Sequence, residues 1–249
     1  MSAAKKTKHS TIDAHEISHF SKDSARWWDE DGPFKPLHRL NPLRMAYIKE
    51  QICTHFDLDD ITLKPLNGLK ALDIGCGGGL VCEPLARLGA DVSGIDADTN
   101  GIEAARAHAE QSGLDITYIH GEAADLDQKY DVITALEVAE HVRDPAEFVS
   151  LCAELLKPEG LLIMSTLNRT PKSYALGIVA AEYVLRWVPR GTHDWKKFIK
   201  PSELTHYARH AGLHAHDVRG LVFNPLKNGF ELSKRDLDVN YLISFSKNT

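Results

Sequence analysis

Leu72-Asp73-Ile74-Gly75-Cys76-Gly77-Gly78-Gly79 runs an apolar segment, Leu69 to Ile74, straight into four glycines within five residues. Glycine at such a point lets the backbone turn tightly and lets a ligand approach where a Cβ would clash. The helix expected from about Leu80 points its free N–H groups back at that ligand. A lone acid, Asp96, closes the next apolar run, Asp91 to Ile95. A carboxylate there can accept both hydroxyls of a ribose. The stretch reads as a nucleoside-cofactor site at the carboxyl edge of a parallel sheet.

Two details turn the reading away from a dinucleotide. Asp73 lies inside the strand, two residues before the first glycine, where a negative pyrophosphate is unwelcome and a cation, such as the α-ammonium of a methionine moiety, is favoured. The spacing Asp-x-Gly-x-Gly-x-Gly also departs from the dinucleotide fingerprint Gly-x-Gly-x-x-Gly. The pattern resembles motif I of the class I S-adenosylmethionine-dependent methyltransferases, with Asp96 as the ribose-binding acid. The bland alternative is a glycine-rich structural turn without a ligand.

The rest of the chain fits an α/β fold. The 249 residues suit one domain with insertions, and 43% hydrophobic content allows an ordinary buried core. A net charge of −6 gives no support for a nucleic-acid partner. Cys53, Cys76, Cys82 and Cys152 are scattered without metal spacing, which suits reduced thiols in a cytosolic setting. Residues 1–11 read as a disordered tail. They lack the apolar core of a secretory signal, and the first 25 residues carry acids and no arginine, unlike a mitochondrial transit peptide. No run reaches the roughly 18 apolar residues of a membrane span.

Along the chain, residues 13–31 read as a helix. Residues 33–41, with Pro33 and Pro36 and followed by Pro42, read as an extended connector, and 42–56 as a second helix; 12–68 together form an N-terminal helical lid. Strands at 69–74, 91–95, 115–120, 130–136 and 161–166 alternate with helices at 80–89, 99–112 and 144–157, the last closed by Pro158-Glu159-Gly160. This alternation predicts a parallel sheet covered on both faces. A helix at 201–212 precedes strands near 213–223 and 239–247, joined by a loop containing Asn224-Pro225 and Asn228-Gly229. Two late strands without a helix between them predict an antiparallel pair at one edge, giving the methyltransferase arrangement of seven strands with the last reversed.

Chemistry in such a sheet gathers at the strand carboxyl ends. The fourth strand ends in Leu136-Glu137-Val138-Ala139-Glu140-His141. If the following turn is helical, Glu137, Glu140 and His141 share one face at i, i+3 and i+4. They would suit an oxygen-rich Mg²⁺ site, a Zn²⁺ site, or a base with its orienting partners. The bland alternative caps a helix with the acids and packs His141 beneath the cofactor. Arg44, at the start of the second helix, is placed to salt-bridge a cofactor carboxylate. Trp27 and Trp28 read as lid packing rather than surface.

The second signal is an insertion at 168–200. Its stretch from Tyr174 to Val188 is apolar except for Glu182 and Arg186, too short and too charged to span a bilayer. It suits either a membrane interface, with Tyr174, Tyr183 and Trp187 as anchors and nearby Lys and Arg meeting anionic head groups, or a lid helix packed on the core. Either would cover a greasy substrate.

Over about Ile12 to Lys247 the chain resembles the bacterial ubiquinone-biosynthesis O-methyltransferases. The resemblance is carried by Ser24-Ala25-Arg26-Trp27-Trp28-Asp29, the block Phe34 to Arg44, the glycine motif, Glu137 to Val142, Ser165 to Arg169, Gly191-Thr192-His193-Asp194, Phe198 to Pro201, and Asp238-Val239-Asn240-Tyr241. The glycine motif identifies only the superfamily; the N-terminal block, the Gly-Thr-His-Asp segment and the Asp-Val-Asn-Tyr segment are more specific. The resemblance implies methyl transfer from S-adenosyl-L-methionine to ring hydroxyls of polyprenyl catechol-type intermediates, at an early and a last step of ubiquinone synthesis. It implies Arg44, Gly75, Asp96 and Leu136 as cofactor contacts, to which the motif itself adds Asp73 and Gly77. It implies Glu137, Glu140 and His141 as holders of a divalent cation, Mg²⁺ by preference. It further implies a cytoplasmic protein held peripherally at the inner face of the cell membrane, near other enzymes of the pathway. Ala139 departs from the larger aliphatic residue expected there. Two competing readings are a methyltransferase for a soluble phenol or amine, which the apolar insertion disfavours, and a cofactor-binding scaffold subunit, which the intact acid–histidine cluster disfavours.

Overall fold

The computed structural model describes residue 24 and residues 26–175, 194–224, 226–227 and 229–248. Its centre is an eight-stranded sheet: β1 (Lys70–Ile74), β2 (Asp91–Asp96), β3 (Ile116–His120), β4 (Tyr130–Leu136), β5 (Leu156–Leu167), β6 (Leu213–Asn224), β7 (Gly229–Ser233) and β8 (Asn240–Lys247), in the order β3-β2-β1-β4-β5-β8-β6-β7. The first five strands run parallel. β8 runs antiparallel to both of its neighbours, β5 and β6, and β7 closes the far edge as the second arm of a hairpin with β6.

The helices α1 (Lys35–His55), α2 (Cys82–Arg87), α3 (Thr99–Gln111), α4 (Pro145–Leu155) and α5 (Pro201–His210) cover both faces. Two apolar cores result. One gathers Phe148, Val149, Cys152, Leu204 and Ala208 against Leu72, Ile133 and Phe245. The other gathers Tyr47, Ile48, Ile52, Leu85, Ile102 and Ala105 against Ala71, Val92 and Ile163. Central strands buried on both faces explain why β1 and β4 are mostly apolar rather than alternating, with Asp73 and Thr134 the buried polar residues within them. Two helices start where the sequence signals them. Asp98 caps α3 by accepting from the Asn100 and Gly101 N–H groups, and Asp144 caps α4 from Ala146 and Glu147, with Pro145 in the first turn.

Four expectations need correction. The 33–41 connector is helical: α1 begins at Lys35 and passes through Pro42 without ending. Pro36 lies in the first turn, where a missing N–H loses nothing. Pro42 forfeits one internal bond, a loss outweighed by the burial of Met45, Tyr47, Ile48 and Ile52. The described part of 13–31 is not a continuous helix; residues 26–35 form successive turns, Asp29 N–H to Arg26 O, Gly32 to Asp29 and Lys35 to Gly32. β5 starts at Leu156, before Pro158-Glu159-Gly160, and pairs with Tyr130 before its register shifts. The sheet has eight strands rather than seven, because Gly229–Ser233 pairs with β6. The tail 1–11, the core of the apolar insertion (176–193) and the positions Pro225 and Asn228 of the late loop lie outside the described residues.

Candidate active site

The glycine loop leaves β1 in the left-handed region, with φ of +73° at Gly75, +50° at Gly77 and +89° at Gly79. The Gly75 and Cys76 N–H groups donate to Ile95 O at 2.8 and 3.2 Å, which ties the loop to the end of β2. A Cβ on Gly75 would stand 2.4 Å from Val138 Cγ2, so only glycine lets this loop meet the segment after β4. Asp96 ends β2, and main chain holds its carboxylate: Gly77 N–H donates to Oδ2 and Asp98 N–H to Oδ1, each at 2.8 Å. Burial pushes its pKa up, against the pull of those N–H groups. Carboxylate oxygens with two lone pairs each keep acceptor capacity for ribose hydroxyls.

Asp73 sits behind the loop, fully enclosed. Thr134 Oγ1 donates to its Oδ1 at 2.6 Å and Cys82 Sγ to its Oδ2 at 3.6 Å. Burial raises its pKa to about 7, with Thr134 and Cys82 opposing.

The segment before α1 lies across the same loop. Virtual Cβ atoms on Gly77 and Gly78 would fall 2.5 and 2.4 Å from the Trp27 ring, so the indole rests directly on these two glycines. Phe34 stacks on its other side, centroids 3.8 Å apart. Trp28 stacks on His108 at 3.5 Å and donates from Nε1 to Gly78 O at 2.9 Å. Ser24 Oγ donates to Asp98 Oδ2 at 2.5 Å. The tryptophans are packing residues, as expected, and what they pack on is the glycine loop.

On the other side of Gly75, the segment after β4 is a turn rather than a helix, with His141 N–H on Val138 O. Glu137 has φ +57°, a left-handed conformation that stops helical winding from the strand end. Its carboxylate accepts from Ser165 Oγ, from Asn240 Nδ2 at 3.0 Å on each oxygen, and pairs with Arg44 at 3.3 Å. Glu140 is only 2% exposed; Thr166 Oγ1 donates to its Oε2 at 2.8 Å. Burial, with the charge of Glu137 second, drives its pKa well above the ordinary carboxylate range. Of two neighbouring acids, the enclosed one is the harder to ionise. His141 is half-buried at the end of the turn, and Leu136 is the last residue of β4, paired in register with Ser165. Ala139 is fully buried.

Glu137, Glu140 and His141 thus do not line one helical face, and among the described residues no group of three His, Cys, Asp or Glu side chains is placed to hold a metal ion. A divalent cation does not fit these residues as they stand: Arg44, Asn240 and Ser165 already crowd Oε1 of Glu137, the first of them with its own positive charge, and Glu140 is enclosed, with Thr166 on its Oε2. Sequence reading missed Thr134, Ser165, Thr166 and Asn240, which hold the acids from strands far away in sequence. Ser165, Thr166 and Asn240 fall inside segments that carry the family resemblance, the only signal that pointed to them.

A methyltransferase domain model matches residues 37–218. A ubiquinone biosynthesis O-methyltransferase of Cereibacter sphaeroides is 54% identical over 236 residues, 94% of this chain and 96% of the relative. One from Bartonella bacilliformis is 53% identical, covering 94% and 95%. Among solved structures, magnesium protoporphyrin IX methyltransferase from Synechocystis PCC 6803 with bound SAH matches with a TM-score of 0.65 at 18% identity, over 93% of this chain and 97% of that one. A possible histamine N-methyltransferase from Thermotoga maritima gives 0.59 at 19% identity, over 92% and 100%. At such identities these two speak for the fold alone, the class I methyltransferase arrangement of an α/β sheet. With half its residues shared with those relatives over nearly full length, the chain belongs to the ubiquinone biosynthesis O-methyltransferase family.

Proposed function

We propose that the chain methylates ring hydroxyls of polyprenyl catechol-type intermediates of ubiquinone synthesis, 2-polyprenyl-6-hydroxyphenol and 3-demethylubiquinol, with S-adenosyl-L-methionine as donor. The observation that carries this reading is the contact of Gly75 with Val138, which sets the glycine loop and Asp96 side by side with Glu137 and Glu140. The residues fit the donor: the left-handed glycines turn the loop back to the end of β2, and the tethered carboxylate of Asp96 suits its ribose. Asp73 lies behind the loop on the side of its ammonium, and Leu136 borders the cradle. When bound, the donor supplies an electrophilic methyl group on a sulfonium.

Glu137 accepts the proton of the acceptor hydroxyl, so that the oxygen's electron pair is available to the methyl carbon. Arg44, buried beside it, pairs with Glu137 and offers its remaining N–H groups to the donor's carboxylate. Burial, with the charge of Glu137 second, holds the Glu140 pKa well above the ordinary carboxylate range, and Glu140 accepts from Thr166 within the site while Glu137 takes the proton. No step here runs through a divalent cation. Peripheral attachment of the 168–200 insertion to an anionic membrane surface on the cytoplasmic side is part of the same reading, supported by its apolar composition and the polyprenyl tail of the acceptor.

The test is methyl transfer from labelled S-adenosylmethionine to a short-tailed demethylubiquinol kept reduced, with and without EDTA. Turnover that persists in EDTA is the expected result. Loss in EDTA with recovery in Mg²⁺ would return Glu137, Glu140 and His141 to a ligand set formed on binding. Absence of turnover on any catechol, despite donor binding, would overturn the proposed activity. Sedimentation with vesicles containing anionic lipid, compared with neutral vesicles, tests the membrane contact.

A further inference from the structure

β8 runs against β5, so its first residue arrives where the parallel strands end. That residue is Asn240, opposite Leu167 in the register. Its Nδ2 donates to both oxygens of Glu137 at 3.0 Å, across 103 residues of sequence. This double contact fixes which end of the amide is nitrogen, because a flipped amide would set Oδ1 against a carboxylate. The Asn240 oxygen is therefore the opposite end, and it is buried with no hydrogen-bond partner among the described residues.

Two more buried polar atoms around Glu137 are in the same state, Arg44 Nε and Glu140 Oε1, on residues 6% and 2% exposed. An unmade bond at a buried polar atom costs about 1–3 kcal/mol, so three around one carboxylate point to a polar ligand that completes them. The oxygens of Glu137 are unequally occupied as well. Oε1 takes Ser165, Arg44 and Asn240; Oε2 takes only Asn240 among the described residues. Oε2 and Asn240 Oδ1 are thus two adjacent acceptors with capacity left, joined by one hydrogen bond.

We propose that Asn240 is an acceptor-binding and specificity-determining residue: Glu137 Oε2 takes the hydroxyl to be methylated while Asn240 Oδ1 accepts from the hydroxyl next to it on the ring. This rests on the O-methyltransferase reading above. Both expected substrates carry such a vicinal pair, and a carboxylate alone would not distinguish them from a simple phenol. The same amide holds Glu137 through Nδ2, so recognition of the second hydroxyl and orientation of the proton acceptor are properties of one side chain.

The experiment compares kcat/KM for two short-tailed acceptors, one with the vicinal pair and one with the neighbouring hydroxyl replaced by hydrogen, in wild type, Asn240→Ala and Asn240→Asp. A site that hydrogen-bonds a hydroxyl rejects the analogue lacking it, so wild type should prefer the vicinal acceptor by about tenfold or more. In Asn240→Ala the preference should shrink to below about threefold, with the loss falling on the vicinal acceptor. Asn240→Asp should be the slower variant of the two, because it sets a second carboxylate against Glu137. A merely structural residue would lower both acceptors equally, and an unchanged ratio in Asn240→Ala overturns the proposal. Asn240→Ser, with the ratio read in the same way, serves if the alanine variant does not fold. Wild type inactive on both acceptors would instead sink the underlying reading.

Discussion

At the β1–β2 end of the sheet edge, the glycine loop and Asp96 are held by main chain. Left-handed glycines shape the loop, and two backbone N–H groups fix Asp96, one of them from the loop itself. At the β4–β5–β8 end, Glu137 and Glu140 are held by side chains: Ser165, Thr166, Asn240 and Arg44. Main chain is the same whatever residue follows, so the first end can serve a donor common to many enzymes. Side chains can be exchanged one at a time, so the second end is where acceptor specificity resides. The halves meet at Gly75 and Val138.

The largest effect that would break this division is expected from Gly75→Val. The new side chain would overlap Val138, and at φ +73° the backbone itself is strained. Donor affinity should fall by about 100-fold, and stability by roughly 2–5 kcal/mol from overpacking and left-handed strain together. Titration calorimetry and denaturant unfolding measure the two; unchanged donor binding would contradict a cradle shaped by main chain. Next, Glu137→Gln should lower kcat about 100-fold while shifting the donor dissociation constant less than about threefold. If both constants moved together, the two ends would not be separable.

Asp73→Asn sharpens the comparison from the cofactor side through stability. The folded chain holds a proton on Asp73 up to about pH 7, against an ordinary value of 3.8, so between those values the folded state binds more protons than the unfolded. Stability therefore falls as pH rises through that window, by on the order of 4 kcal/mol at most. The asparagine variant should flatten this slope and be the more stable chain at pH 8, read from urea midpoints at several pH values. The smallest effect belongs to Glu140→Gln. An acid whose pKa burial holds well above the ordinary range loses little on becoming an amide, so kcat should stay within about threefold of wild type. A loss as large as that of Glu137→Gln would mean that Glu140 must ionise, as a metal ligand would.

The same division governs what could be read from sequence. The glycine loop and Asp96 are local, a few residues of fixed spacing at two strand ends, and the central parallel strands stand out as mostly apolar segments because both of their faces are buried. The acceptor end depends on contacts such as Asn240 with Glu137, which no local pattern encodes. The five-residue strand Gly229–Ser233 was hidden by its length and by the turn residues before it; Phe230 and Leu232 are its only large apolar residues. Three prolines suggested an extended connector before Arg44, yet only Pro42 opposes a helix, and the buried face of α1 overrides it. The helical face predicted for Glu137, Glu140 and His141 failed on one dihedral, the left-handed φ of Glu137.

The Trp27 indole, flat on Gly77 and Gly78 with Phe34 behind it, gives the molecule an optical readout of its own. A ligand settling on those glycines must change what that ring touches, and the buried Nε1 without a partner makes its emission sensitive to any polar group that arrives. Trp28, stacked on His108 and bonded to Gly78 O, would register the same event through a second ring. Occupancy of the site is thus open to measurement by intrinsic fluorescence, with Trp27→Phe separating the share of that ring from the share of Trp28 and no label added to the chain.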